Sequence, residues 1–453
     1  MTVLSDAKNV RQLAVEILHK VESQKAYADL LLDHHLRNAR LIEADRALLT
    51  ELTYGTLRWR AQIDAKLVPF LNRSLADTDP FNRNLLRVTL YQLLFLDKIP
   101  AYAAVNEAVE IAKSTQPRSA RFVNGVLRSF LRQWTKSGTG SDIQSSAGNL
   151  AEEYSHPQWL VDRWRECFGE EQAKALMVAS NQRAPLVVRV NQTKTPRDKL
   201  LKRWQECAIA ADSSAISPQG IRLPTGVSIE TLPGFAAGLF QVQSEASQLV
   251  SYLVGPAPGE TILDACAAPG GKATHLAELS GDQGKIIAID TSARGIERIT
   301  QNARRLGLES IQAQCADANK TLPANLVGPY DRILVDAPCS GLGTLRSHPE
   351  IKWQRDDSDI ARLCALQARI LQSVAQHLKG GGVLVYSTCT LTVDENERVV
   401  ENFLRKNNRF ELADAAGYLP ESARHMVHGK YFQTLPQRDD TDGFFAARMR
   451  KVA

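Results

Sequence analysis

Apolar side chains recur at helical spacing through the first 136 residues of the chain. From residue 10 the spacing i, i+3, i+4, i+7, i+8 and i+11 marks one face of a helix, which is occupied by Val10, Leu13, Ala14, Ile17, Leu18 and Val21. Similar stripes run through residues 85–96, 105–112 and 122–131, and strand-like alternation does not interrupt them. The pattern predicts a helical N-terminal domain at residues 1–136.

The pattern changes twice before residue 259. Residues 137–150 are rich in Ser and Gly, have few apolar side chains, and predict a linker. Residues 151–258 mix a helix that carries Trp159, Trp164 and Phe168 with apolar strands at 185–191 and 238–243 and a helix at 244–254. This mixture predicts a small α+β module.

From residue 261 onward, short apolar runs alternate with amphipathic stretches. The runs predict strands at 261–267, 285–290, 311–317, 332–337 and 383–388, and the stretches predict helices at 272–279, 293–306, 360–378 and 393–406. Near-continuously apolar strands that alternate with helices are typical of a parallel, doubly wound sheet covered on both faces. Residues 259–453 are therefore predicted to form an α/β domain, with a last edge strand at 444–449.

Composition narrows the class of protein. Of the 453 residues, 44% are hydrophobic and 23% are charged, as in ordinary globular proteins. No apolar run approaches the roughly 18–20 residues of a membrane helix, and the first residues lack the layout of a signal peptide. The seven cysteines include no C-x-x-C pair and no Cys/His cluster at zinc spacing. We therefore expect a cytoplasmic, monomeric protein with reduced thiols and no bound metal.

Positive charge is concentrated at the N-terminal end. Residues 1–136 carry 20 Lys and Arg and 14 Asp and Glu, a net charge of +6. The whole chain has a net charge of +5, so the remaining residues are close to neutral. Four arginines punctuate the last predicted helices of this region, namely Arg118, Arg121, Arg128 and Arg132. A basic face predicts a polyanionic partner such as RNA. The alternative is an ordinary solvated helical surface.

A tight loop of small residues follows the first strand of the α/β domain. It consists of Cys266, Ala267, Ala268, Pro269, Gly270, Gly271 and Lys272. Ligands of parallel sheets bind beyond the carboxyl ends of the strands, where small residues let a ligand approach the backbone and the next helix N-terminus. A triphosphate is disfavoured, because a Walker A loop needs Gly and Ser or Thr where the chain has Cys266 and Ala273.

Acidic residues end the next three strands. Asp290 lies about 20 residues beyond the glycine loop, a position suited to hydrogen bonds with ribose hydroxyls. Asp317 and Asp336 follow the third and fourth strands. Each alone is compatible with a helix cap. Three acids beside a tight glycine loop instead predict a site for a nucleoside without a pyrophosphate, which S-adenosylmethionine fits better than NAD.

Two cysteines follow strands of the same predicted sheet. Cys339 follows Asp336-Ala337-Pro338, and Cys389 follows Ser387-Thr388. Two thiols at one edge of a sheet suggest covalent catalysis with a division of labour. The alternative for either thiol is a small buried apolar side chain. We predict this packing role for the other five cysteines, Cys167, Cys207, Cys266, Cys315 and Cys364.

Several motifs together resemble a known enzyme family. Residues 264–272, 336–344, 348–353 and 386–390 resemble, in this order, the RNA cytosine-C5 methyltransferases of the NOP2/NSUN/Sun group, over about residues 155–451. Residues 104–113 and 121–128 resemble the RNA-binding antitermination factor NusB. The combination is similar to bacterial enzymes that methylate small-subunit (16S) rRNA. It implies a helical NusB-like domain and a Rossmann-like methyltransferase domain on either side of the small α+β module.

The resemblance implies a role for each candidate site residue. Cys389 maps onto the nucleophile that adds to C6 of cytosine, Cys339 is expected to assist release of the adduct, and Asp336 is expected to hydrogen-bond the base edge. DNA cytosine-C5 methyltransferases use instead a Pro-Cys, the setting of Cys339, for the attack. S-adenosylmethionine, which leaves as S-adenosylhomocysteine, is expected to bind at residues 266–272, Asp290, Asp317 and Asp336.

Several alternatives stay open at this point. Lys272 is compatible with a contact to the cofactor, a contact to RNA phosphate or a loop cap. Lys352 and Trp353 are compatible with stacking on RNA or with a place in a core. The same catalytic domain is compatible with DNA or tRNA as substrate. A different class is a non-catalytic RNA-binding assembly factor, which the intact cysteines and acids disfavour.

Overall fold

The computed structural model describes residues 9–39, 41–136 and 149–452. Most of the predicted linker at residues 137–150 lies outside these ranges. The chain divides into two compact units, Met1–Gln182 with Leu345–Arg355 and Arg183–Thr344 with Asp356–Ala453. Within the described ranges, no helix has both the length and the apolar character needed to cross a membrane.

The N-terminal unit is helical, as its apolar stripes predict. Its helices up to residue 180 are α1 (Val10–Gln24), α2 (Ala28–Asn38), α3 (Glu43–Arg58), α4 (Arg60–Leu67), α5 (Pro80–Phe95), α6 (Ala101–Thr115), α7 (Ala120–Lys136), α8 (Leu150–Glu153) and α9 (Gln158–Ser180). The stripe that begins at residue 10 is the buried face of α1, where Leu13, Ala14 and Ile17 are fully buried. It contributes to one core together with the buried faces of α3 and α5.

The segment Leu345–Arg355 also belongs to the N-terminal unit. Lys352 is 1% exposed, and its ammonium donates to two backbone carbonyls at 2.9 and 2.6 Å and to Asn181 Oδ1 at 3.0 Å. Trp353 packs against the helical core and donates from Nε1 to the carbonyl of Leu57 at 2.7 Å. Lys352 therefore lies in the core, and Trp353 is partly buried against it.

The C-terminal unit contains all of the strands in the described ranges. These are β1 (Leu186–Val190), β2 (Asp212–Ser213), β3 (Gly220–Leu223), β4 (Phe240–Val242), β5 (Thr261–Asp264), β6 (Lys285–Asp290), β7 (Ile311–Cys315), β8 (Tyr330–Asp336), β9 (Leu378–Thr388), β10 (Phe410–Leu412), β11 (Val427–His428), β12 (Tyr431–Thr434) and β13 (Phe444–Lys451). The helices after β1 are α10 (Arg197–Glu206), α11 (Glu245–Val254), α12 (Gly271–Leu279), α13 (Ala293–Leu306), α14 (Ile351–Gln354), α15 (Asp357–Ala375), α16 (Glu397–Lys406) and α17 (Pro436–Asp439). Of these, α14 lies in the segment that belongs to the N-terminal unit.

The first four strands form a small antiparallel sheet of their own. Its order is β2-β3-β1-β4, and α10 packs against it through the buried side chains of Leu200 and Trp204. This arrangement confirms a small α+β module, but the helix predicted within it that carries Trp159 and Trp164 is α9, which belongs to the N-terminal unit. Strands β2 and β3 were not predicted, because runs of two and four residues give too little periodicity to distinguish a strand from a loop.

The other nine strands form one large mixed sheet. Its order is β11-β12-β13-β9-β8-β5-β6-β7, with β10 paired to β13, and the neighbours from β9 to β7 run parallel. Alternate residues of β5 face opposite ways: Ile262 packs in the cluster that includes α11, α12 and α13, and Leu263 packs in the cluster that includes α15 and α16. The predicted parallel sheet with helices on both faces is confirmed.

The prediction of an edge strand at residues 444–449 is wrong in its position. Strand β13 pairs antiparallel with β9 on one side and with β12 and β10 on the other, so it lies inside the sheet. Strands β10 to β12 are two to four residues long and lie among short 3-10 helices. Such short runs give no recognisable apolar alternation, so the sequence did not predict them.

Strands β8 and β9 bring the polar residues at their carboxyl ends next to each other. They are parallel neighbours, and Asp336 lies opposite Ser387 at their carboxyl ends. Beyond this pair, the backbone N–H of Ala337 donates to the carbonyl of Ser387 at 2.8 Å. Because parallel strands end at a common edge, the loops that follow these two residues begin side by side.

A buried arginine ties the small sheet to the glycine loop. Arg189 on β1 is fully buried, and its guanidinium donates to both carboxylate oxygens of Glu278, at 2.9 and 2.7 Å. It also donates to the carbonyl of Gly271 at 2.7 Å and to Thr274 Oγ1 at 3.1 Å, both in the first turn of α12. Burial raises the pKa of Glu278, and the Arg189 charge opposes that shift.

We expect Arg189→Met to destabilise the C-terminal unit by about 3 kcal/mol, because the Glu278 carboxylate would stay buried without its partner. Urea unfolding of the full chain measures the loss, and faster hydrogen exchange in α12 locates it. The matched control is Arg165→Met, since Arg165 and Glu170 form an ion pair in which both side chains are 48% exposed. Equal effects of the two substitutions would contradict the prediction.

Candidate active site

The glycine loop connects β5 to α12 through a tight turn. Gly270 has φ +99°, and a Cβ there would lie 3.1 Å from the Cα of Ile299, so conformation and space both favour glycine. The turn is closed by the N–H of Gly270, which donates to the carbonyl of Ala267 at 2.7 Å. The first turn of α12 therefore presents its N–H groups beside small side chains.

The two acids after β6 and β7 are held by backbone donors. Asp290 accepts from the N–H of Ala268 at 3.1 Å through one oxygen and from the N–H of Ser292 at 2.9 Å through the other. Asp317 accepts from the N–H of Asn319 at 2.9 Å. Asp290 thus fixes the glycine loop directly, while its remaining lone pairs stay available to a ligand.

Four carboxylates surround Cys266 in the glycine loop. Burial, together with the four negative charges, raises the pKa of the Cys266 thiol well above its usual range. The carboxylates belong to Asp264, Asp290, Asp317 and Asp336. The structure therefore brings together the three acids predicted from the sequence and adds a fourth.

The added acid is Asp264, the last residue of β5. It is fully buried, and neither carboxylate oxygen has a hydrogen-bond partner in the described residues. Burial, and then the charge of Asp336, raise its pKa to about 7. Its place at a strand end, directly before the glycine loop, is the sequence signal that marks it as a site residue.

Lys272 forms an ion pair that the sequence did not predict. Its ammonium lies 2.6 Å from Asp336 Oδ2, and its side chain is only 9% exposed. Ser387 Oγ donates to the other oxygen of Asp336 at 2.8 Å. The ammonium also lies 5.0 Å from the centre of the Phe444 ring. Asp336 is thus oriented through both oxygens while its side chain keeps 28% of its surface exposed.

Cys339 and Cys389 face each other at the ends of β8 and β9. Their sulfur atoms are 3.3 Å apart, and both residues are partly buried. The hydrogen bond with the Cys389 thiol, followed by burial, raises the pKa of Cys339 well above its usual range. Cys339 is therefore a protonated thiol at neutral pH, within hydrogen-bond distance of the Cys389 sulfur.

The packing role predicted for the other five cysteines is wrong for three of them. Cys167, Cys207 and Cys315 are exposed, whereas Cys266 and Cys364 are partly buried. Cys207 follows the end of α10, and Cys315 ends β7, the last strand on its side of the sheet. Cysteine is among the most buried residue types on average, but the average does not decide an individual position.

One cluster of possible metal ligands occurs among the described residues, in the N-terminal unit. It consists of Asp29, His348 and Glu350. Glu350 Oε1 accepts from the N–H of Ala28 at 3.1 Å, and His348 Nδ1 lies 3.8 Å from the same oxygen. Glu350 therefore acts as a cap for the first turn of α2, and none of the three was a predicted site residue.

Three family models match successive parts of the chain. The NusB family matches residues 8–132, and a ferredoxin-like domain of RsmF/B-like methyltransferases matches residues 156–230. The 16S rRNA methyltransferase RsmB/F model matches residues 251–450.

Curated relatives match the chain over nearly all of its length. A probable ribosomal RNA small subunit methyltransferase B of Bacillus subtilis is 40% identical over 448 residues, which are 98% of this chain and 99% of the relative. The protein of the same description from Synechocystis is 36% identical over 447 residues, 98% of this chain and all of the relative.

Solved structures agree with the fold. The crystal structure of PH0851 has a TM-score of 0.84 at 25% identity, and covers 99% of this chain and 100% of that protein. The structure of NSun6 from Pyrococcus horikoshii with SFG has a TM-score of 0.59 at 25% identity, and covers 66% of this chain and 98% of that protein. With two relatives above 30% identity over almost the whole chain, this protein belongs to the RsmB/F family of 16S rRNA methyltransferases.

Proposed function

We propose that this protein transfers a methyl group from S-adenosylmethionine to C5 of a cytosine in 16S rRNA, through a covalent bond between Cys389 and C6 of the base. The observation that carries this proposal is the pair of thiols 3.3 Å apart, next to an acid at the carboxyl end of the sheet. The relatives named as small-subunit rRNA methyltransferases support the choice of RNA.

The residues at the glycine loop fit S-adenosylmethionine. Asp264 is a fully buried carboxyl whose oxygens lack a well-formed hydrogen bond, and burial raises its pKa to about 7, so a cationic group of a ligand would stabilise its ionised form. The loop at residues 266–272 has small side chains, so a ligand can approach its backbone, and Asp290 and Asp317 present acceptors for hydroxyl or amino groups. When bound, S-adenosylmethionine supplies an electrophilic methyl group on a positively charged sulfur.

Covalent attack is needed because C5 of cytosine is a poor nucleophile. In our proposal Cys389 adds as a thiolate to C6, and C5 then acquires the electron density to accept a methyl group. Asp336 accepts a hydrogen bond from the base edge, which favours protonation at N3 as the thiolate adds. Lys272 and Ser387 keep the Asp336 carboxylate in one orientation for this contact.

The same geometry supports different roles for the two thiols. A base takes the C5 proton, the electron pair of that C–H bond forms the C5=C6 double bond, and the bond between C6 and Cys389 breaks, so that the sulfur leaves as a thiolate. Cys339 lies 3.3 Å from that sulfur and is held protonated, so it donates a hydrogen bond to the leaving thiolate. The target base must leave its stack to reach these residues.

We expect Cys389→Ala to abolish methylation and Cys339→Ala to accumulate a covalent protein–RNA adduct, because attack survives in the second variant and release does not. The adduct is measured as a band of reduced mobility on a denaturing gel. Cys207→Ala, at an exposed position, is the control and should behave like the wild type.

The assay uses radiolabelled methyl donor with 16S rRNA, tRNA and DNA in separate reactions, and 5-methylcytosine is then mapped in the product. Label in DNA or tRNA without label in 16S rRNA would contradict the substrate. An active Cys389→Ala enzyme beside an inactive Cys339→Ala enzyme would reverse the roles of the cysteines.

Cofactor affinity should rise with pH through neutrality. Because the pKa of Asp264 is raised to about 7, the carboxyl is protonated below that pH and must lose its proton to pair with a cationic ligand. We expect the dissociation constant of S-adenosylhomocysteine to fall about tenfold from pH 6 to pH 8, with proton release on binding. Calorimetry in two buffers measures both quantities. Asp264→Asn should flatten the profile, and an unchanged profile would refute the assignment.

The N-terminal helices should contribute to RNA affinity through exposed arginines. Arg121 and Arg128 lie on the exposed face of α7. We expect the double substitution to Gln to weaken binding of 16S rRNA and to lower the salt-dependence slope by about 2, with cofactor affinity unchanged. Arg37→Gln is the control, since Arg37 is paired with Asp33 at 2.8 Å. RNA affinity equal to that of the wild type would favour a protein-docking role for this region.

A further inference from the structure

A single buried carboxylate links the two loops that carry the cysteines. Glu395 lies between β9 and α16 and is fully buried. Its Oε1 accepts from the N–H of Ser340 at 2.8 Å, and its Oε2 accepts from Ser340 Oγ at 2.6 Å. Thr390 Oγ1 donates to Oε2 at 3.3 Å and lies 2.6 Å from Ser340 Oγ. The carboxylate therefore contacts the residue that directly follows each cysteine.

Further donors complete the surroundings of this carboxylate. Thr392 Oγ1 donates to Oε2 at 2.7 Å, and Gln367 Nε2 donates to Oε1 at 3.0 Å. The same Gln367 amide donates to the carbonyl of Pro338 at 3.0 Å, directly before Cys339. Both oxygens of the buried side chain thus have hydrogen-bond donors, from backbone, amide and hydroxyl groups. No lysine, arginine or histidine among the described residues pairs with Glu395 within 4.0 Å.

We propose that Glu395 is a positioning residue that fixes the two cysteine loops against each other and, through its charge, gives the two thiols their different roles. This inference rests on the covalent mechanism proposed above. The hydrogen bonds hold the sulfur atoms at contact distance, and the negative charge opposes a second negative charge on Cys339. In agreement, the Glu395 carboxylate contributes to the raised pKa of Cys339, after the contact with Cys389 and burial.

A substitution at Glu395 can remove the negative charge and still keep the hydrogen bonds between the two loops. In Glu395→Gln the new amide group can face the side of Ser340, Thr390 and Thr392, because hydroxyl groups can turn to accept as well as donate. The carbonyl oxygen can then keep the two N–H donors on the other side. The substitution therefore removes the charge while the hydrogen-bonded loop connection survives.

The first measurement needs no RNA. The wild type and Glu395→Gln are alkylated with iodoacetamide over a range of pH, and Cys339 and Cys389 are followed in separate tryptic peptides by mass spectrometry. We expect Cys339 in the variant to react at lower pH, by about one pH unit. Glu395→Asp, which keeps the charge, should restore the wild-type profile. The matched control is Glu401→Gln on the exposed side of α16, which should change nothing.

The second measurement follows the adduct with 16S rRNA in a single turnover. Because Cys339 must keep its proton to assist release, we expect adduct decay in Glu395→Gln to lose rate with rising pH about one pH unit earlier than in the wild type, while adduct formation and S-adenosylhomocysteine affinity stay close to the wild type. An unchanged Cys339 profile, or equal losses in adduct formation and decay, would show that Glu395 is merely structural. If no variant forms an adduct, the covalent mechanism fails, whereas the alkylation profile still decides whether Glu395 controls Cys339.

Discussion

The parallel pairing of β8 with β9 is the constraint on which the active site depends. Asp336 and Ser387 stand opposite each other at the last step of this ladder. Beyond that step the two strands continue into loops, which place the sulfur atoms of Cys339 and Cys389 3.3 Å apart. A slip by one residue would turn the side chains of either strand to the opposite face of the sheet, and the acid, hydroxyl and thiols would no longer meet.

Negatively charged side chains outnumber positively charged ones at the candidate site. Four carboxylates lie around the glycine loop, and Lys272 is bonded to one of them. In the proposed mechanism the cofactor and the base would each contact one side of the Lys272–Asp336 ion pair. Behind the loop, Arg189 anchors the first turn of α12 to the small sheet. The glycine loop is thus held on both sides, by Asp290 and by Arg189.

Local signals predicted local structure well. Strand β6 and helix α13 have the predicted bounds, since Ser292 caps the start of the helix and Gly307, with φ +72°, ends it. The strand ends that carry Asp290 and Asp336 followed from the same apolar pattern. What the pattern did not contain were partners far away in sequence: Lys272 with Asp336, and Glu395 with Ser340. Such pairs are set by tertiary packing, which periodicity along one chain does not encode.

The segment Leu345–Arg355 gives the chain an order of assembly. It completes the N-terminal unit, yet at least 160 residues of other structure separate it from Gln182. Synthesis proceeds from the N-terminus, so the backbone carbonyls that accept from the Lys352 ammonium are made long before it. These hydrogen bonds cannot form until the ribosome has passed α14. The helical unit thus reaches its final form only after both sides of the Cys339 loop have been made, so a chain truncated before that loop also lacks a complete N-terminal unit.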